Sequence, residues 1–360
     1  MSTAGHGSGG RALVDWDFAV QTARQLMRPG PQIPPDEAAE VVARLRSDAA
    51  RAEGHVRAFT DLHTRSATAP LLVVDRPGWV QANADGFATI MKPLLDKAVA
   101  QQSAPSALAA MVGSRVTGAE AGALLAFLAH KVLGQFDPFW DGGPETTGRM
   151  LLVAPNIVAA QRELDVDAQD FSLWVCLHEE THRVQFTAVP WLRDHVHGLI
   201  TAFVEATDLD PDSLRRVLTD GLGQIGRVLS GDSEVSLVDL VTNESQREVI
   251  DRVTAVMSLL EGHADVVMDG VGPQVIPTVA TIRQRFTKRR KGTGSLDVLL
   301  RRLLGLDVKM RQYAEGAVFV RGALDAVGMA GFNAVWASPE ALPTRDEITD
   351  PRSWVARVHG

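Results

Sequence analysis

A single cysteine, Cys176, stands in the 360 residues, so no intramolecular disulfide can form and the chain is expected in a reducing compartment, the cytoplasm. There is no excess of basic charge: 36 Lys and Arg face 44 Asp and Glu, for a formal net charge of −8, which argues against a general nucleic-acid binder. No uninterrupted run of about 18 apolar residues occurs, so no membrane span is expected. The first ten residues are small and polar, without the apolar centre of a secretory signal, and are read as a disordered tail. Tyrosine is as scarce as cysteine, with Tyr313 alone. What remains is ordinary for a globular chain that can bury a core: 45% hydrophobic and 22% charged residues.

Apolar spacing predicts a largely helical protein with a little sheet. Asp15 to Leu26 reads as a first helix, and Arg28-Pro-Gly-Pro-Gln-Ile-Pro-Pro breaks it. Asp36 opens a charged amphipathic helix to about Leu62, expected at the surface. Leu71-Leu-Val-Val-Asp and Met150-Leu-Leu-Val-Ala are strand candidates, stopped by Arg76-Pro-Gly and Pro155. Helices are predicted over Trp79 to Ala100 and Thr117 to Leu133, the latter rich in Gly and Ala and suited to close packing. Asp170 to Ala188 and Glu244 to Asp269 are the strongest helices. A short helix within 208–235 and further helices near 295–304 and 308–327 complete the expected order, before a Pro-rich end near Trp354.

The chemistry concentrates at His178-Glu-Glu-Thr-His182. Histidines four apart on a helix share a face, one turn apart, and two imidazoles at that spacing can hold one zinc ion. Glu179 points to the neighbouring face, where it can take the proton of a zinc-activated water, the arrangement that makes H-E-x-x-H recur in metallopeptidases. With 10 His and 44 acidic residues, chance supplies roughly 0.03 such motifs per chain. The flanking Phe171, Leu173, Trp174, Val175 and Leu177 make the preceding turn apolar all round, so the helix is expected to be buried, where idle His and Glu would be costly.

A catalytic zinc needs a third protein ligand. His195, His197, Glu205, Glu244, Glu261, His263 and Asp265 are the candidates downstream. The metzincin position six residues after His182 is Ala188, and the inverted H-x-x-E-H order is absent. Glu261 is the best choice, on the second strong helix in Leu259-Leu-Glu-Gly-His-Ala-Asp265, although it lies 79 positions from His182. Asp265, one turn later on the same face, could fix a ligand histidine through its free N–H. His263 and Asp265 are the rivals of Glu261.

Long segments carry a resemblance: Val74-Asp-Arg-Pro-Gly-Trp-Val, Val132-Leu-Gly-Gln-Phe-Asp, Leu173-Trp-Val-Cys-Leu-His-Glu-Glu-Thr-His-Arg-Val-Gln-Phe, Met257-Ser-Leu-Leu-Glu-Gly-His-Ala-Asp and Lys309-Met-Arg-Gln-Tyr-Ala-Glu-Gly. From about residue 12 to the C-terminus the chain resembles the actinobacterial zincin-like hydrolases. This is a domain-of-unknown-function group whose branches include proteins described as associated with coenzyme F420 biosynthesis. The resemblance implies an α+β, predominantly helical, zincin-like metalloprotease fold of minimal-gluzincin type, with a small sheet and the H-E-x-x-H helix at its site. It implies a tail over 1–11 and a hydrolase over 12–360, with a mainly helical part over 12–145 and a metal-binding catalytic part over 146–360. It implies Zn2+ on His178, His182 and Glu261, with Glu179 as base; the class of the motif, not the resemblance, makes a peptide or small amide the expected substrate. It supplies no substrate.

Three further features have a functional and a bland reading. Tyr313, in a family-like motif on a late helix, is the candidate donor to a tetrahedral oxyanion, with His263 as the alternative. Otherwise it caps the core. The basic run Arg283, Arg285, Lys288, Arg289, Arg290 and Lys291 reads as an anion site or, preferably, as a solvated helix end. Met150 to Val153 is either a strand that pairs with an extended peptide or an internal strand. Cys176 is read as a packed small side chain. A hydrolase of another amide or ester, and a non-catalytic zinc-binding protein, are the competing functions.

Overall fold

The computed structural model describes residues 14–64, 69–100, 107–143, 148–206, 244–290 and 306–360. Within them the chain divides into two compact units, one of residues 14–29 and 76–131, the other of 30–75 and the described residues from 132 onward. The expected helices within 208–235 and near 295–304 lie outside the described residues.

The first unit is helical: α1 (Trp16–Leu26), α3 (Arg76–Ala100) and α4 (Ala107–Leu128). Asp15 caps α1 by accepting from the Phe18 N–H at 2.9 Å. The small residues of α4 do what their composition promised. A Cβ at Gly118 would lie 2.5 Å from the Asp15 carbonyl oxygen, and one at Gly122 would meet that of Ala19, so the two helices touch backbone to backbone.

The second unit is α+β and mostly helical. Its sheet has the order β1 (Leu71–Val74), β3 (Arg149–Val153), β2 (Gly134–Asp137). β1 runs parallel to β3, with Leu71 opposite Met150. β2 runs antiparallel to it, with Gly134 opposite Leu152. Every residue of β3 is buried, which explains its unbroken apolar run. Because β3 is paired on both sides, it is the internal strand of the two readings, and any extended segment adding to this sheet must use β1 or β2.

Around the sheet lie α2 (Pro35–Thr60), α5 (Ala154–Leu164), α6 (Ala168–Ala188), α7 (Leu192–Ala206), α8 (Glu244–Val275), α9 (Val279–Arg290), α10 (Leu306–Phe332), α11 (Arg345–Thr349) and α12 (Pro351–His359). α2 is amphipathic and lies at the surface as expected, with Asp36, Glu40, Arg46 and Arg51 exposed. Val41, Leu45, Ala49, Ala52 and Val56 form a helical stripe among its charges, and all five are buried against α6. The Cys176 thiol sits under α2, 3.7 Å from the Leu45 carbonyl oxygen, packed as expected, and burial pushes it well up from its ordinary titration range.

One described segment, Glu315–Trp336, has the length and apolarity of a membrane span. Its Phe319, Val320, Ala323 and Phe332 are buried in the unit's own core, while Arg321 pairs with Asp269 at 2.6 Å and Glu315 with Arg345 at 2.8 Å. Apolar on one face and ion-paired on the other, it reads as a core helix.

α8 and α10 cross without side chains between them. A Cβ on Gly262 would meet the backbone of Gly316, and one on Gly316 would meet the Ser258 carbonyl oxygen. This contact fixes the turn of α8 that carries Glu261.

Candidate metal centre

α6 begins with Asp167, whose side chain accepts from the Gln169 and Asp170 N–H groups, and it runs through the core with only its His178 side partly open. Helical spacing brings His178 and His182 together, with Nε2 atoms 3.2 Å apart. From α8, Glu261 presents its carboxylate 3.6 Å from His178 Nε2 and 3.9 Å from His182 Nε2. One ligand atom from each residue lies within 4.8 Å of the others, the only such His/Cys/Asp/Glu cluster among the described residues.

These distances test whether a metal fits. Four donors at about 2.0–2.2 Å around a tetrahedral zinc stand roughly 3.3–3.5 Å apart. The Nε2 pair at 3.2 Å, with one Glu261 oxygen 3.6 Å from His178 and the other 3.9 Å from His182, lies close to that value, and two imidazoles with one carboxylate form the donor set of a catalytic zinc site with a position left for water.

Glu179 stands beside the cluster and outside it. Its carboxyl is buried between α6 and β2, where Gly134 makes room: a Cβ there would lie 2.5 Å from Glu179 Cγ and 2.8 Å from Oε1. Burial, then the charge of Glu261, then that of Glu180, push this carboxyl well above the ordinary carboxylate range.

Glu180 faces the other way. Arg183 lies between it and Glu53 of α2, at 2.6 and 2.5 Å. Burial pushes Glu180 up to about 7 despite that partner. The second Glu of the motif therefore locks α6 to α2.

Among the rivals for the third position, Glu261 is the residue the structure brings in. His195 packs edge-on to Trp191 and His197 against Phe139. Glu205 is exposed on α7, and the Glu244 side chain lies outside the described residues. Asp265 has its carboxylate 3.4 Å from the Arg283 guanidinium of α9, a contact that joins α8 to α9. The residue bonded to a ligand imidazole is Gln185. His182 Nδ1–H donates to its Oε1 at 3.0 Å. Gln185 Nε2 lies 3.0 Å from the Leu260 carbonyl oxygen and 3.0 Å from His263 Nδ1. His263 is wholly buried, which pushes it down to about 3 and keeps it neutral. It reaches the site only through Gln185. The signal for Gln185 was present, since it stands three residues after His182 on the same helix face.

Tyr313 lies on α10, one turn before the Gly316 crossing, and its side chain is outside the described residues. Three arginines of the basic run are engaged, Arg283 with Asp269, Arg285 with Asp165 and the Leu164 carbonyl, and Arg289 with Glu163, while the Arg290 side chain lies outside the described residues. This supports the bland reading of that run. Lys291 lies outside the described residues.

No curated protein matches the sequence. The structure is similar to a crystal structure of a candidate hydrolase with a novel fold from Chloroflexus aurantiacus, with 29% sequence identity, a TM-score of 0.69, and 96% of this chain and 99% of that one covered. The model of a zincin-like metallopeptidase family matches residues 14–355, nearly the full length over which the site is built, and the chain belongs to that family.

Proposed function

We propose that the protein is a zinc-dependent hydrolase that cleaves an amide bond in a peptide or small amide, with His178, His182 and Glu261 as the ligands and Glu179 as the proton-transfer group. The observation that carries this reading is the convergence of three residues from two helices, with separations of 3.2, 3.6 and 3.9 Å between imidazole nitrogens and carboxylate oxygens, beside a second carboxylate, Glu179, that is not among them. A zinc ion held there supplies Lewis acidity, lowering the pKa of a water to about 7 and polarising a carbonyl.

The remaining work falls to the chain. A carboxylate whose proton affinity is raised by burial accepts a proton from water more readily than an exposed one, and as the acid it then protonates the leaving amine. Gly134 lets β2 lie directly against this carboxylate, and β2 is an edge of the sheet among the described residues. An extended substrate paired to β2 would pass beside Glu179. Tyr313 remains the candidate donor to the oxyanion by its place on α10 near the crossing with α8.

The test is metal analysis of the full-length protein together with a peptide library. About one zinc per chain is expected, with cleavage that falls about 10²–10⁴-fold in Glu179→Gln while zinc is retained. Absence of zinc, or unchanged cleavage by Glu179→Gln, defeats the proposal. Zinc without any peptide cleavage moves the substrate to a non-peptide amide or ester, or leaves a non-catalytic zinc protein.

A further inference from the structure

Gln185 is fully buried, and its amide has one arrangement that suits all three of its neighbours. The Leu260 carbonyl can only accept, so the amide nitrogen must face it, at 3.0 Å. The second hydrogen of that nitrogen points to His263 Nδ1, also at 3.0 Å. The amide oxygen is then left for His182 Nδ1, 3.0 Å away, and because an amide oxygen can only accept, Nδ1 must carry the hydrogen. That leaves a lone pair on His182 Nε2, the atom that faces His178 and Glu261.

The reverse arrangement fails at Leu260 and at His182. It would set the amide oxygen against the Leu260 carbonyl oxygen. It would also oblige His182 Nδ1 to accept, moving the imidazole hydrogen to Nε2, where it would block a metal. His263 does not choose between the two, since its Nδ1 can accept from the amide nitrogen or donate to the amide oxygen. The Leu260 carbonyl therefore sets the direction of the amide.

Leu260 immediately precedes Glu261 in the chain. One neutral side chain is thus bonded to a ligand imidazole on α6 and to the backbone beside a ligand carboxylate on α8.

We propose that Gln185 is a positioning residue of the zinc site, holding His182 as the Nδ1–H tautomer and tying it to the Leu260–Glu261 backbone, with the Leu260 carbonyl fixing the direction of its amide. The proposal rests on the zinc reading above.

The test is zinc affinity of the full-length protein, measured by competition with a chromophoric chelator. Gln185→Met keeps the length of the side chain and removes both hydrogen-bond functions, and is expected to bind zinc about 10–100-fold more weakly. His263→Phe keeps the ring packing and leaves the Leu260 and His182 contacts of Gln185 in place, and is expected to weaken zinc by less than about tenfold. Gln185→Glu keeps an oxygen at His182 but sets another against the Leu260 carbonyl, and is expected to bind zinc more weakly than the unmodified protein and more tightly than Gln185→Met. Zinc binding by Gln185→Met equal to that of the unmodified protein would overturn the proposal.

A second measurement needs neither a variant nor a metal. Long-range ¹⁵N NMR of the zinc-free, unmodified protein should show His182 as the Nδ1–H tautomer, and an Nε2–H imidazole would overturn the proposal even if no variant folds. Failure of the unmodified protein to bind zinc defeats the zinc reading alone, since the tautomer is read independently.

Discussion

Replacing Gly134 with alanine adds one methyl group to β2 and touches no ligand, yet it should remove most of the activity. The added Cβ would stand 2.5 Å from Glu179 Cγ, 2.7 Å from Cδ and 2.8 Å from Oε1. Carbon atoms rest at about 3.5–4.0 Å, so something must give by roughly 1 Å. Gly134 is poorly placed to retreat, because β2 is paired to β3 and β3 is buried along its whole length. Glu179 gives way instead, and it moves within a buried site. A displacement of about 1 Å at a reacting group costs on the order of 10²-fold in rate. The overpacking itself should cost about 1–3 kcal/mol of stability. At about 2.1 cal/mol/K of unfolding entropy per residue, a 360-residue chain loses about 1.3 °C per kcal/mol, so Tm falls by roughly 1–4 °C. The assay is kcat and KM on a peptide drawn from the library, beside thermal unfolding and zinc Kd. The expected pattern is a fall in kcat with KM and zinc Kd little changed, because the ligands lie on the other side of the carboxylate. Unchanged kcat in a folded Gly134→Ala protein would refute the argument, showing that the position of Glu179 does not govern the rate. A fall in zinc affinity equal to the fall in kcat would show that α6 had moved as a body.

Three other outcomes follow from the same geometry. Zinc at 1,000 times its Kd should stabilise the unmodified protein by about 4 kcal/mol over the chelated form, and His178→Ala should unfold at one temperature with or without chelator. Gly262→Ala and Gly316→Ala each place a methyl group against backbone of the facing helix, so each should cost about 3 kcal/mol or more in denaturant unfolding and weaken zinc binding by shifting Glu261. Glu347 caps α11 through the Thr344 N–H and accepts from Arg357 at 2.7 and 2.8 Å, and the Arg357 hydrogen bonds hold its carboxyl below the usual range. A lowered folded-state pKa stabilises above the unfolded value and is lost as pH falls through the folded one. Glu347→Gln should therefore cost about 1 kcal/mol near pH 7, and the difference should vanish as the buffer is taken well below pH 4.5.

Helices whose apolar residues keep their period over several turns were legible. α1, α6 and α8 begin within two residues of their expected starts, and α8 continues past its expected end to Val275. Elements whose definition depends on a distant partner were not. Gly134-Gln-Phe-Asp137 becomes a strand only because β3 lies beside it, and four residues carry no alternation to read. Pro155 was taken as a strand stop, which it is, but it also occupies the first turn of α5, where a missing N–H costs nothing. α2 was legible too, as a charged amphipathic surface helix: its Val, Leu and Ala stripe is buried while Asp36, Glu40, Arg46 and Arg51 face solvent.

The site divides along a similar line. His178, Glu179 and His182 owe their mutual placement to one helix, so the spacing alone predicts it. Glu261 comes from another helix, and its assignment needed the further premise that a zinc site takes a third ligand. Extending that logic one turn to Asp265 reaches a carboxylate that Arg283, on α9, contacts at 3.4 Å. Gln185 did sit within reach of the spacing argument, but a neutral amide does not declare whether it will donate or accept. That is decided by the Leu260 carbonyl, from a helix 75 residues away. Charge marks candidate ligands along the chain, whereas the direction of a hydrogen bond exists only once its partners are in place. The groups that tune a metal ligand are accordingly the part of such a site that a single sequence conceals most.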